Sequence, residues 1–296
     1  MLHACTAPHD PSFELKVRLD SLYRKFGGSY LESDPICFPR GFRDPADRET
    51  IGFLTTALAY GRVDQIKASV RRLAAILGAS PAAFIRRFDA RRDRRALRGF
   101  AHRFNDARDA GLLLHFMRQM LEQDGSIEAF FLRGFSGEHE DIGAALESFS
   151  SRALALDCSP YYPSGRLPAR AGVRFFFASP RDGSSCKRLN LFLRWMVRRD
   201  DGVDLGVWRG VPASRLVIPL DTHVSRIASY IGLTRRRSVG WKMALEVTGA
   251  LRRLDPFDPV KYDFALCRLG ILDACPRRRD EVKCAGCDLR PVCALP

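Results

Sequence analysis

The last 22 residues hold Cys275, Cys284, Cys287 and Cys293, spaced C-x8-C-x2-C-x5-C in the run CPRRRDEVKCAGCDLRPVC. Four thiols this close can pair as disulfides or hold a metal. The N-terminal stretch MLHACTAPHDPSFELKVRL lacks the apolar core of a secretory leader. A reducing cytoplasm is therefore expected, where clustered thiols favour metal over disulfide. Structural zinc sites pair two short knuckles, whereas here one C-x2-C sits between wide gaps. Four unevenly spaced thiolates suit the wider corners of a [4Fe–4S] cube. Spacing alone leaves the cluster and zinc both open.

A second set of reactive side chains lies at residues 179–190 (SPRDGSSCKRLN). Gly183, Ser184 and Ser185 form a turn that feeds a helix beginning near Lys187. Such a turn presents backbone N–H groups and the positive end of a helix dipole, a setting suited to a phosphate. Cys186, beside Lys187 and Arg188 at this helix start, is placed for a lowered thiol pKa. A third segment, residues 220–226 (LDTHVSR), sets Asp221 just ahead of a helix. That position is what N-capping alone predicts, and it also leaves a carboxylate at a helix start facing outward.

Helical periodicity runs almost throughout the chain. Amphipathic stretches fall at residues 48–60, 64–77, 107–122, 142–155 and 187–197, and again near 222–231, 240–253 and 257–270. Residues 158–173 are rich in Pro, Gly and Ser and read as loop. No strand-period stretch is long enough to anchor a sheet, so the class is all-α. The 296 residues, 46% of them hydrophobic, suffice for one large or two medium cores. No apolar run reaches the roughly 20 residues needed to span a bilayer. The 48 Lys+Arg against 34 Asp+Glu give a net charge of +14. Most of the excess is arginine, as in residues 86–98 and 233–237, and suits a salt-sensitive hold on nucleic acid.

Taken together, these segments resemble the helix–hairpin–helix DNA glycosylases. The cysteine run is similar to the C-x6-C-x2-C-x5-C iron–sulfur loop of the endonuclease III type, with a first gap two residues longer. The turn resembles that family's Pro-Gly-x-Gly-x-Lys hairpin, with Gly183 at the first glycine, Lys187 at the catalytic lysine, Asn190 at a helix asparagine and Ser185 in place of the second glycine. Residues 220–226 resemble its V-D-T-H-x-x-R run, in which the aspartate is the essential carboxylate. Lys187 and Asp221 stand 34 residues apart, farther than in endonuclease III; the extra length, residues 198–215, has a counterpart in archaeal 8-oxoguanine glycosylases. The strings GSSCKRLNLFLRWMVR, IPLDTHVSRI and DPVKYDFALCRLGI also resemble an uncharacterised bacterial family of unknown function over nearly the whole chain.

The resemblance implies two helical domains flanking a DNA-binding cleft. Residues 46–212 would form the core domain, with the helix–hairpin–helix motif at about 175–197. Residues 1–45 with 213–296 would form the domain carrying the [4Fe–4S] loop at 275–293, with Cys267 dispensable for the cluster. It implies a bifunctional glycosylase and AP lyase of base-excision repair, monomeric and nucleoid-associated, acting on double-stranded DNA with a damaged or modified base. Lys187 and Asp221 would be catalytic. Gly183, Ser184, Ser185 and Arg188 would touch DNA, and so would Arg62 and Gln65, in the loop that fills the gap left by the flipped base. Tyr60, Cys186, Trp195 and Trp208 are candidates for the base pocket. Two other readings stand beside this one: a non-catalytic nucleic-acid-binding iron–sulfur protein, and an enzyme using Cys186 as its nucleophile.

Overall fold

A computed structural model describes residues 11–272 and 274–295; residues 1–10, on which the reading of a leaderless N-terminus rests, lie outside the described residues. The described chain is mostly α-helical: α1 (Pro11–Lys25), α2 (Cys37–Arg40), α3 (Pro45–Ala57), α4 (Val63–Leu77), α5 (Pro81–Arg86), α6 (Ala107–Asp124), α7 (Ile127–Leu132), α8 (Gly143–Leu154), α9 (Lys187–Val197), α10 (Thr222–Tyr230), α11 (Trp241–Leu254), α12 (Asp263–Ile271) and α13 (Glu281–Ala285). Between α5 and α6 two short antiparallel strands, β1 (Ala101–His102) and β2 (Asn105–Asp106), form a hairpin. The all-α class is thus the observed one. The periodic stretches match α3, α4, α6 and α8–α11 to within a few residues, whereas α12 begins at Asp263, six residues later than the stretch 257–270. The short helices α2, α5, α7 and α13 and the hairpin are too brief for periodicity to mark. Residues ahead of the turn at 183 form 3-10 turns, Gly172–Phe176 and Pro180–Asp182, where the resemblance places an α-helix.

Helix starts are written into the sequence. Asp44 accepts from the Ala46 amide at 2.7 Å, with Pro45 in the first turn of α3. Asp106 and Asp109 form a reciprocal capping box on α6, which ends on left-handed Gly125. α3 is buried on nearly every side, and its two acids serve other helices. Asp47 accepts from the Ala82 amide at the start of α5, and Glu49 accepts from the amides of Ile127 and Glu128 at the start of α7. Trp208 also donates to Glu49, at 2.8 Å. Burial raises the Glu49 pKa, and these hydrogen bonds oppose the rise. Each buried carboxylate thus satisfies amides that would otherwise be orphaned.

One continuous apolar core runs from Leu19 to Leu289. Phe53 of α3 meets Phe149, Phe177 and Phe192 at ring separations of 5.1–6.0 Å. α3 lies against α9 so closely that a Cβ on Gly52 would come within 2.6 Å of Met196. α1 packs on α11 and α12, bringing the N-terminal arm to the C-terminal half. The residues after α9 fold back as a buckle. Asp204, fully buried, pairs with Arg194 at 3.1 Å and with Arg198, and Arg198 also pairs with Asp201 and Asp258.

Candidate functional site

A cavity of about 570 Å³ opens between the loop after α3, the start of α9, the start of α10 and one face of α12. It brings Lys187 and Asp221 to one wall. Lys187 is the first residue of α9, and its Nζ donates to the carbonyl of Ala59 at 3.0 Å. Asp221 caps α10 through one oxygen, which accepts from the amides of His223 and Val224 at 2.8 Å each. Its other oxygen accepts from the Cys267 thiol at 3.8 Å. The carboxylate therefore both caps and lines the cavity.

The turn that presents Lys187 is held from both sides. Gly183 sits at φ 75°, a left-handed conformation that favours glycine, and Cys186 at φ 48°. Asn190 donates from its amide to the Ser185 carbonyl at 3.0 Å, and the Ser185 hydroxyl donates to the Leu220 carbonyl at 3.3 Å. That last bond ties the Lys187 turn to the residue preceding Asp221. Ser184 accepts from the Cys186 amide at 3.1 Å.

Other expected site residues divide. Tyr60, Arg62 and Trp195 line the cavity with Gly61. Gln65 is exposed and outside the lining, and Arg62 is exposed and paired with Asp64 at 3.2 Å. Trp208 is not a pocket residue. It is buried against Phe131 and Phe192, and its indole N–H is taken by Glu49. Cys186 does not line the cavity either: it is 1% exposed, its thiol donates to the Ala178 carbonyl, and burial pushes its pKa up to about 12. The expected lowering of this thiol pKa is overturned, since desolvation outweighs the helix start. Arg188 turns inward, donating to the carbonyls of Ala57 and Phe175, and burial lowers its pKa to about 10. Its guanidinium, like the Ser185 hydroxyl, is engaged within the chain.

Asp263, Cys267 and Arg194 are among the lining residues not foreseen as part of this site. Asp263 is 2% exposed and pairs with Arg194, which it shares with Asp204. Burial pushes its pKa up to about 7; the Arg194 charge opposes this and the Asp221 charge adds to it. Burial also raises the Cys267 thiol well above its ordinary value, reinforced by Asp221 and Asp263. The signal was present: an aspartate amid Tyr262, Phe264 and Ala265 marks a carboxylate carried into a core. Trp195 Nε1 and Asp263 Oδ1 are buried with no hydrogen-bond partner among the described residues.

Two further features flank the cavity. A groove of about 550 Å³ beside the turn is lined by Gly183, Arg181, Arg236, Arg237 and Lys242. At the C-terminus, Cys275, Cys284, Cys287 and Cys293 all border one small cavity and form no disulfide. Burial raises the Cys275 thiol to about 11, and the other three thiols add to the rise against the Arg226 charge. The loop hangs from α10 and α12: Arg226 donates to the Cys275 carbonyl at 2.8 Å, and the Ala294 amide donates to the Tyr230 carbonyl at 2.8 Å. Among the described residues, no group of three or more His, Cys, Asp or Glu converges as it stands on a single metal ion. No helix among them is long and apolar enough to cross a membrane.

Over residues 34–272 the chain matches the family described as protein of unknown function (DUF2400), and it belongs to that family. The matched span holds every residue lining the Lys187–Asp221 cavity and stops short of the four-cysteine loop. Neither the curated proteins nor the solved structures give a match.

Proposed function

We propose that the protein is a DNA glycosylase with AP-lyase activity, which takes a damaged or modified base into the cavity at Lys187 and Asp221. The observation that carries this reading is that those two side chains, 34 residues apart in the chain, line one cavity of about 570 Å³. Lys187, as a neutral amine, attacks C1′ of the nucleotide. The bond from C1′ to the base breaks as the N–C1′ bond forms, and the base leaves with the electron pair and takes a proton. Opening of the sugar and loss of the amine protons give a Schiff base, from which β-elimination cleaves the strand. The Asp221 oxygen that does not cap α10 faces the positive charge that develops on the sugar. The Trp195 N–H and one Asp263 oxygen are buried behind the cavity wall without a hydrogen-bond partner; the base itself must first be extruded from the stack. The groove at Gly183, with Arg181, Arg237 and Lys242, suits the phosphate backbone.

The four thiols fit a shared metal centre: they border one cavity and form no disulfide, and burial raises the Cys275 and Cys287 thiols, a cost that binding as thiolates relieves. Cys275, Cys284, Cys287 and Cys293 would hold a [4Fe–4S] cluster, with zinc as the alternative. The cluster would lock the C-terminal loop against α10 and so steady Asp221. The Cys186-nucleophile reading loses support from that thiol's burial and raised pKa.

Borohydride trapping tests the proposal. Wild type should give a covalent adduct with an abasic duplex, and Lys187→Gln should lose it while still binding. Asp221→Asn should slow base release by about 10²–10³. An undiminished adduct from Lys187→Gln would move the nucleophile elsewhere.

A further inference from the structure

The β1–β2 hairpin stands at the rim of the cavity and carries an aromatic side chain with most of its surface exposed. Phe104 at its tip is 60% exposed. A lone exposed phenylalanine needs no explanation, but four features set this one apart. First, the hairpin's two-residue tip is Arg103-Phe104, and Arg103 is held at φ 55°, in a place where such turns take glycine. It is one of only two non-glycine residues with positive φ among the described residues; the other, Cys186, precedes Lys187. Backbone outliers of this kind collect at functional sites.

Second, the hairpin root is fixed. The Tyr60 hydroxyl donates to the His102 carbonyl at 3.0 Å, and the Asn105 amide donates to Asp109 at 2.8 Å and to the Gly172 carbonyl at 3.0 Å. His102 spans Ser69 and the Tyr60 carbonyl. Burial lowers its pKa, which favours the neutral ring that one donated and one accepted bond require. A rigid root under an exposed tip presents Phe104 in one orientation.

Third, Phe104 is the outer ring of a cluster. Tyr60 lies 5.3 Å from it and Phe175 4.7 Å, and the Arg188 guanidinium lies 3.5 Å over the Phe175 ring. Fourth, the cluster adjoins the cavity. Tyr60 and Gly61 line it, and the Arg103 side chain lies so close over Gly61 that a Cβ there would meet it at 2.8 Å.

We infer that Phe104 is a stacking platform for an unpaired DNA base next to the nucleotide held in the cavity. An exposed ring backed by aromatic and cationic groups accepts the face of a base, while Arg62 and Arg103 on the same rim suit its phosphates. This contact rests on the reading of the protein as DNA-binding, and it does not need the glycosylase chemistry.

The test uses the full-length protein in the Lys187→Gln background, with two fluorescent single strands: a thymidine oligonucleotide and the same backbone with abasic sugars. The expected result is that Phe104→Ala weakens binding of the thymidine strand roughly 5- to 150-fold, the range of one base–aromatic stack, and leaves the abasic strand unchanged. Phe104→Trp should restore the affinity and Phe104→Leu should not. Equal affinity of wild type and Phe104→Ala for the thymidine strand, or full restoration by leucine, overturns the inference. Borohydride trapping with Lys187 intact reads the chemistry separately. A base-dependent loss in Phe104→Ala without any trapped adduct keeps the platform and rejects the Lys187 Schiff-base step.

Discussion

Asp263 is the residue that most changes how the cavity behaves. It is fully desolvated beside Asp221 and shares its one guanidinium partner with Asp204. The ion pair favours the carboxylate, but one arginine divided between two acids does not offset complete burial, and the pKa lies at about 7 against an ordinary 3.8. A carboxyl whose folded pKa is raised contributes stability that is full below the unfolded value and is lost as pH rises through the folded value. Replacing Asp263 with Asn removes that titration. The stability of Asp263→Asn relative to wild type should therefore climb between about pH 4 and pH 7, as read from urea midpoints; parallel profiles would show that the carboxyl stays ionised throughout. Little of this was legible in the sequence. Lys187 and Asp221 stood out because each lies at a helix start within a recognisable run. Asp263 is the first residue of α12 but falls inside the longer periodic stretch read over 257–270, so only the folded surroundings reveal that it lies near a second carboxylate. Trp208 misled in the other direction: a tryptophan in a polar loop looked free to stack on a ligand, yet its N–H is fixed by Glu49, 159 residues away.

At the scale of elements, α9 positions the site, and the loop after it positions α9. α9 delivers Lys187 at its start, while Arg194 and Arg198 at its end are clamped by Asp201, Asp204 and Asp258. Residues 198–215, visible in the sequence only as extra length, are thus a fastening for the helix that carries the lysine. Buried ion pairs add little net stability when formed, but breaking one strands a charge in the core. Asp204→Ala should cost about 3–5 kcal/mol in a urea melt. Asp204→Asn, which keeps hydrogen-bond capacity for one arginine, should cost less. A loss under about 1 kcal/mol for the alanine variant would mean that water reaches the two guanidiniums. Most of the longer helices were legible because their apolar faces repeat over several turns, but α1, 15 residues long, was not read from the sequence. The hairpin at 101–106 was not, because two-residue strands carry no period and its turn lacks the glycine that would signal it.

For the whole molecule, charge placement matters more than the total of +14. The densest arginine run in the sequence, residues 86–98, is partly spent on internal contacts. Arg92 is paired with Asp93 at 2.6 Å, the Arg87 guanidinium lies 5.6 Å over the Phe84 ring, and Arg86 donates to the Gly125 carbonyl. Arg181, Arg237 and Lys242 instead line the groove beside the Lys187 turn, a grouping that no linear run announces because it joins residues from two separate segments. If this groove tracks the DNA backbone, each cation in contact with a phosphate releases a counterion on binding. The logarithm of the binding constant then falls with the logarithm of salt at a slope of about −0.9 per contact on duplex DNA. Arg237→Ala should weaken duplex binding at low salt and make that slope shallower by about one contact. Arg92→Ala should leave the slope unchanged, since that charge is already neutralised by Asp93. Fluorescence anisotropy across a salt series reads both. Equal slopes for all three proteins would remove the groove from the DNA interface, and a slope change in Arg92→Ala alone would place that interface on the 86–98 face.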